Sequence, residues 1–166
     1  MPQLSDEWGT PDSIFRLIPS GEYFDPCPSH DQPVRHARFY DGHNVSIYCR
    51  EKPIRNPLFS GLEIAWSSKN FVNPPFSDPE PWIKKGLDLF FEHATQSIIV
   101  LPDFTDRKWW RRTVQPSRVP VVFIGRHKFI PLLGQKESQP RFGTSLLCIG
   151  VSNQEVQRMI TSVRPK

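Results

Sequence analysis

Lys69-Asn70-Phe71-Val72-Asn73-Pro74-Pro75-Phe76-Ser77 joins an apolar pair to two consecutive prolines. Phe71 and Val72 read as the end of a buried strand. The prolines have no N–H and a fixed φ, so they forbid both a longer strand and an immediate helix, and the strand stops at Asn73. Beyond the turn, Ser77 or Asp78 is placed to cap a new helix, with Pro79 at its first position and Glu80 favouring its positive end. A strand, a rigid turn and a helix in this order imply an α/β sheet with the turn at the carboxyl edge, where ligands bind.

The turn carries a particular set of acceptors. Proline donates nothing, so the Pro74 carbonyl is less readily consumed by local pairing, and the Asn73 side-chain carbonyl lies beside it. Two acceptors converging on one point suit a planar amino group conjugated to a ring. Such an amine is a poor nucleophile, and hydrogen bonds accepted from its hydrogens turn its lone pair towards an electrophile. Phe76 can stack on the ring that carries it. With 18 prolines in 166 residues, an ordinary proline-rich loop is the competing reading of the tetrapeptide alone.

The rest of the chain supplies further elements in a fixed order: Trp8-Gly9-Thr10-Pro11, Phe24-Asp25-Pro26-Cys27, Gly61-Leu62 and Trp66, Trp82-Ile83-Lys84-Lys85, Leu101-Pro102 with Thr105-Asp106-Arg107-Lys108-Trp109, and Gly125-Arg126-His127-Lys128-Phe129. With Asn73-Pro74-Pro75-Phe76, this series resembles the phage-type DNA N-6-adenine methyltransferases over nearly the whole chain. The resemblance implies an α/β, compact Rossmann-like methyltransferase fold with a mostly parallel sheet and helices on both faces. It also implies S-adenosyl-L-methionine as cofactor and DNA as partner, methylated on the exocyclic N-6 amine of a flipped adenine. Asn73, Pro74, Pro75 and Phe76 would be catalytic, and Trp8, Thr10, Pro11, Asp25, Pro26 and Cys27 would bind the cofactor. Lys108, Trp109, Arg126, Lys128 and Phe129 would meet the substrate. Methyl transfer to cytosine N-4, an RNA base or a glutamine amide is the alternative, as is a catalytically silent nucleic-acid-binding protein of the same fold.

Read on their own, the residues agree in places and leave choices open in others. Thr10 as cap and Pro11 at the first position start a helix whose apolar face is Ile14, Phe15, Leu17 and Ile18. Tyr23-Phe24 is a short strand that runs into Asp25-Pro26-Cys27. Asp25 at a strand end suits a nucleotide-type cofactor, although the glycines usual there are missing, and a plain turn former is the rival reading. Val34 to Gly61 is basic and irregular apart from a strand at Val45 to Tyr48. Asp41 and Glu51 both qualify as the acid that follows the first strand and holds a ribose.

The helix after the Pro-Pro turn should bury Ile83, Leu87, Phe90, Phe91 and Ala94. Ser97 to Leu101 and Val119 to Gly125 read as buried strands, and Thr105 as the cap of a helix carrying Arg107 to Arg112. Leu132 to Phe142 is expected to be a mobile loop and Thr144 to Val151 a last strand. Ser152-Asn153-Gln154-Glu155 forms a capping box before a terminal helix.

Composition limits the function classes. The chain is 37% hydrophobic and 23% charged, which fits one domain over 1–166 with no separate target-recognition domain. The net charge is +4, and Arg107 to Lys128 holds seven Lys or Arg and no Asp or Glu. That excess suits a polyanion and argues against a glutamine-amide substrate. Cys27, Cys49 and Cys148 are widely spaced, without a CxxC pair or a companion histidine at zinc-ligand spacing, so neither a disulfide framework nor a metal is expected. No signal-like or membrane-length apolar run is present, giving an expectation of no membrane partner and a cytoplasmic protein, which the resemblance places in the host cell of a phage or prophage.

Overall fold

The computed structural model describes residues 8–27, 35–40, 44–49, 61–131 and 140–163. Asp41 and Glu51 lie outside them. Ser97-Ile98-Ile99-Val100-Leu101, apolar on both sides of a strand, is buried on both sides: Ile98 and Val100 face one core, Ile99 and Leu101 the other. This strand, β6 (Gln96–Pro102), is near the middle of a seven-stranded sheet. The other strands are β2 (Gly21–Asp25), β3 (Arg35–Tyr40), β4 (Asn44–Cys49), β5 (Lys69–Val72), β7 (Val121–Gly125) and β9 (Thr144–Ile149), in the order β4-β3-β2-β5-β6-β9-β7. Two short strands, β1 (Trp8–Gly9) and β8 (Ile130–Pro131), form a separate antiparallel ladder.

The sheet is mixed, which corrects the expectation of a mostly parallel one. Only the β2–β5 and β5–β6 pairs are parallel, while β2–β3, β3–β4, β6–β9 and β7–β9 are antiparallel. Chain length explains the antiparallel β2–β3 and β3–β4 pairs. A parallel crossover needs a dozen or more residues, usually a helix, and Asp25 is too close to Arg35, and Tyr40 to Asn44, to provide one. β3 was not expected at all: Arg35 and Arg38 lie on a strand rather than in an irregular stretch.

Helices cover both faces, as expected. On one face α2 (Glu80–His93) places fully buried Trp82 and Ile83 against Ile99, Leu101, Leu147 and Ile149, and Trp82 stacks on Trp66 at 6.3 Å. Gly86 permits this approach, since a Cβ there would meet Ile149 Cδ1 at 3.0 Å and Ile99 Cδ1 at 3.2 Å. On the other face, Ile14 from α1 (Asp12–Phe15) and Ile18 just after it, with Val156 and Met159 of α4 (Asn153–Val163), cover Tyr23, Phe71, Val100 and Leu146. Each such fully buried aliphatic side chain is worth about 1.5–3 kcal/mol.

Local readings hold unevenly. The Ser152–Glu155 capping box forms, with Ser152 Oγ donating to Glu155 Oε2 at 2.8 Å and Glu155 N–H donating back to Ser152 Oγ at 3.3 Å. α1 and α2 begin one residue later than expected, at Asp12 and Glu80, and neither has a side-chain cap. Phe91 leaves the buried stripe and is 76% exposed, because the face of α2 on the sheet runs through Trp82, Ile83 and Gly86. β7 is an edge strand, alternating Val122 and Ile124 inward with exposed Phe123, rather than a fully buried one. Thr105 caps nothing. Helical structure starts at Lys108 and widens into a π-helical turn over Trp110–Val114, continued by α3 (Gln115–Ser117).

α2 ends at Ala94 in the left-handed conformation, φ 53° and ψ 33°. Glycine adopts this conformation without the Cβ penalty. Ala94→Gly is therefore expected to stabilise the fold by about 0.5–1 kcal/mol, read as a higher urea midpoint at unchanged slope; a lower midpoint would contradict it.

Candidate active site

The chain leaves β2 to build β3 and β4 on one side, then returns to build β5 and β6 on the other. β2 and β5 are therefore parallel neighbours whose next strands lie on opposite sides, a topological switch point, and open α/β sheets bind ligands outside the carboxyl ends of strands at such points. Asp25 closes β2 and Asn73 follows β5, so the two residues flank this switch point. Pro102 ends β6 at the same edge, with Asp103 and Phe104 beyond it.

Asn73 is partly buried between buried Val72 and buried Pro74 and Pro75. Its Nδ2 donates to the main-chain carbonyl of Trp8 at 2.8 Å, which brings the first described residue onto the turn. Asp78 N–H donates to the Pro75 carbonyl at 3.2 Å and tightens the exit towards α2. Phe76 meets Phe129 edge-on at 5.4 Å and Phe142 at 5.8 Å, and Phe142 meets Phe104 at 5.0 Å. Four phenylalanines from four segments thus form one cluster beside Asn73.

The N-terminal residues gather at the same edge. Trp8 pairs with Pro131 and Gly9 with Ile130, bringing the Arg126–Phe129 loop alongside. His127 holds this loop on α1: its Nε2 donates to the Ile124 carbonyl at 3.0 Å, and its Nδ1 pairs with Ser13 Oγ at 2.8 Å. Thr10 and Pro11, partly buried, join the β1–β8 ladder to α1. Asp25 Oδ1 accepts the Cys27 N–H at 3.0 Å, an Asx turn that accounts for part of its carboxylate, and Pro26 and Cys27 are buried.

Two expected residues sit differently from their sequence reading. Phe129 is only 8% exposed and backs Phe76 from the core, so it supports that ring instead of presenting its own face. Arg112 is committed within the protein: it forms a bidentate pair with Glu80, its Nε donating to Glu80 Oε1 at 2.7 Å. Lys84 lies 3.1 Å from the same oxygen and Thr113 Oγ1 donates to it at 2.9 Å. Lys108, Arg111, Arg126 and Lys128 are exposed and Trp109 is partly buried against Trp110.

Sequence reasoning missed the roles of Phe104 and Phe142. Both flank strand ends, after β6 and before β9, and antiparallel β9 starts at the edge where β6 stops. The pairing of β6 with β9 was the missing information.

S-adenosylmethionine is a phosphate-free cation with an adenine ring, and the residues at this edge suit it. They are acceptor-rich, with the Asp25 and Asp103 carboxylates and the Asn73 carboxamide, and aromatic, with Trp8 and Phe76. Elsewhere, a cavity of about 360 Å³ between the α1–β2 connection and α4 is lined by Arg16, Pro19, Ser20, Glu155 and Arg158. It lies at the amino end of β2, the opposite edge from Asn73. Among the described residues, no cluster of three or more His, Cys, Asp or Glu is placed to hold a metal, and no helix is long and apolar enough to cross a membrane.

The acceptor-rich turn thus stands at the switch point of an α/β sheet with an aromatic ring beside it. The family model of the DNA N-6-adenine-methyltransferases (Dam) matches residues 55–166, and the chain belongs to that family. It is an S-adenosylmethionine-dependent enzyme that methylates the N-6 amine of adenine in DNA. The matched segment contains Asn73–Phe76 and the basic stretch Arg107–Lys128, whereas Trp8 to Cys27 precede it. Among curated proteins and among solved structures, nothing matches.

Glu80 generates a prediction of its own. Its hydrogen bond from Arg112 holds the carboxyl down at about 2, with Thr113 and Lys84 acting in the same direction and burial opposing them. A carboxylate whose folded pKa is depressed stabilises the fold above its ordinary value of 4.5, and that contribution is lost as pH falls towards 2. Glu80→Gln is expected to cost about 1 kcal/mol at pH 6, after allowance for solvent screening. Thermal melts across pH should show the gap to wild type closing towards pH 2; a gap independent of pH would contradict it.

Proposed function

We propose that Asn73 and Pro74 hold the amino group of an adenine swung out of the duplex, with Phe76 stacked on its ring. The observation that carries this reading is the position of Asn73 at the switch point between β2 and β5. The Asn73 side-chain oxygen and the Pro74 carbonyl accept the two amine hydrogens, which turns the nitrogen lone pair towards the cofactor. S-adenosylmethionine supplies, when bound, an electrophilic methyl group on a sulfonium sulfur. Trp8, Thr10 and Pro11 bind it from one side, and Asp25, Pro26 and Cys27 from the other. Catalysis by this chain is mainly orientation, with reacting atoms held in line.

The strands support a Rossmann-like methyltransferase sheet in which β3 and β9 are reversed. Extruding the base costs a few kcal/mol, which stacking of about 1–3 kcal/mol per base and phosphate contacts offset. Phe76 is the stacking face, backed by Phe129 and flanked by Phe142. Lys108, Arg111, Arg126 and Lys128 contact phosphates, and Trp109 lines the approach. Arg112 is left out of this set because Glu80 holds it. With DNA as the substrate, the protein works inside the cell, in the cytoplasm.

Asn73→Ala is expected to nearly abolish methyl transfer while cofactor affinity by calorimetry stays within a few-fold of wild type. Mass analysis of nucleosides after incubation of unmethylated DNA with labelled cofactor reads the outcome, and near-normal turnover would sink the assignment. Phe76→Tyr should retain activity that Phe76→Ala loses; equal loss in both would remove stacking as its role.

Each phosphate contact contributes about 0.9 to the slope of log affinity against log salt on duplex DNA. Arg126→Ala is therefore expected to flatten that slope by nearly one unit and to weaken binding alike on all sequences. An unchanged slope would show Arg126 to be merely solvated.

A further inference from the structure

We propose that the main-chain carbonyl of Trp8 is a positioning group for the reaction: it fixes the carboxamide of Asn73 so that only the side-chain oxygen faces the target amine. This rests on the reading of Asn73 as the amine acceptor. A peptide carbonyl oxygen can only accept, so the Asn73 atom 2.8 Å from it has to be the –NH2 group. The amide is planar, and once Nδ2 is committed to Trp8, Oδ1 projects on the opposite side of the side chain. Among the described residues, Asn73 makes no other hydrogen bond, so this single contact decides which way the amide faces. Reversing the amide would set its oxygen against the Trp8 carbonyl oxygen, acceptor against acceptor, and would aim two donors at an amine that also donates.

The carbonyl is itself held in place. Trp8 pairs with Pro131 and Gly9 with Ile130, so its position follows the β1–β8 ladder. The ladder is close-packed, because a Cβ on Gly9 would lie 3.1 Å from Ile130 Cβ. The segment assigned to the cofactor therefore also sets the catalytic amide. It follows that the site discriminates against a carboxylate at position 73. Aspartate would keep an acceptor for the amine, but its second oxygen would meet the Trp8 carbonyl without a proton between them, leaving like partial charges in contact.

The test uses the full chain with S-adenosylmethionine and unmethylated duplex DNA. Asn73→Asp is isosteric and is expected to lower kcat about 100-fold with little change in cofactor Kd. Gly9→Val, which pushes the ladder apart, is expected to lower kcat about 10-fold at saturating cofactor and to move the Asn73 side-chain amide signals in nitrogen-15 NMR spectra. In the wild-type protein those amide protons should exchange with solvent much more slowly than those of exposed Asn153.

Asn73→Asp within threefold of wild type, when Asn73→Ala is inactive, would overturn the Trp8 assignment alone. Activity retained by Asn73→Ala would instead overturn the acceptor reading beneath it. Should the aspartate variant fail to fold, the wild-type exchange decides: Asn73 amide protons exchanging as fast as those of Asn153 would overturn the proposal.

Discussion

Everything at the carboxyl edge depends on β2 and β5 being hydrogen-bonded in parallel while their connections run to opposite sides of the sheet. Their carboxyl ends then form the switch point of the sheet. The two prolines that follow Asn73 hold it there, since the chain can neither extend β5 nor turn at once into a helix. Buried Phe71 and Val72 anchor one side of the turn, and Trp82 and Ile83 of α2 anchor the other. The site is therefore a rigid loop tied to both cores of the sheet.

The charges near this edge are divided between structure and surface. Glu80 directly follows the turn and gathers Arg112, Lys84 and Thr113, binding the N-terminus of α2 to the π-helical turn. Lys85 acts similarly on the other side of α2, donating to the carbonyls of Leu62 and Ile64 at 2.6 Å each, and burial lowers its pKa. Cations that looked interchangeable in sequence thus separate into those that hold helices in place and those, such as Lys108, Arg111 and Arg126, that face solvent.

What was legible in the sequence was local. The end of β5, the start of α2, the continuous apolar β6 and the Ser152 capping box follow from proline geometry, hydrophobic runs and cap chemistry, and each appears within a residue or so of its expected place. Illegible were properties of pairing. β3 contains Arg35 and Arg38 and carries little apolar pattern, so its place beside β2 is set by a connection too short to cross over. The face of α2 turned by enough to expose Phe91 because Gly86 lets the helix approach along a different line. At the candidate site, the place of Asn73 and Phe76 in the turn after β5 was legible from the prolines. The contact from Trp8 and the ring of Phe142 were not, because each reaches the turn from a distant part of the chain.

The insertion of β9 between β6 and β7 has a consequence for biosynthesis. β7 is made before β9, yet its ladder partner in the finished sheet is β9, not β6. During translation Val121–Gly125 therefore emerges with both edges unpaired, and it stays so until Thr144–Ile149 leaves the ribosome. A nascent chain stalled between these segments would present open strand edges on both β6 and β7, with Phe123 on the surface. Such edges recruit other chains. Pairing of Thr144–Ile149 between β6 and β7 closes the β6 edge and one edge of β7.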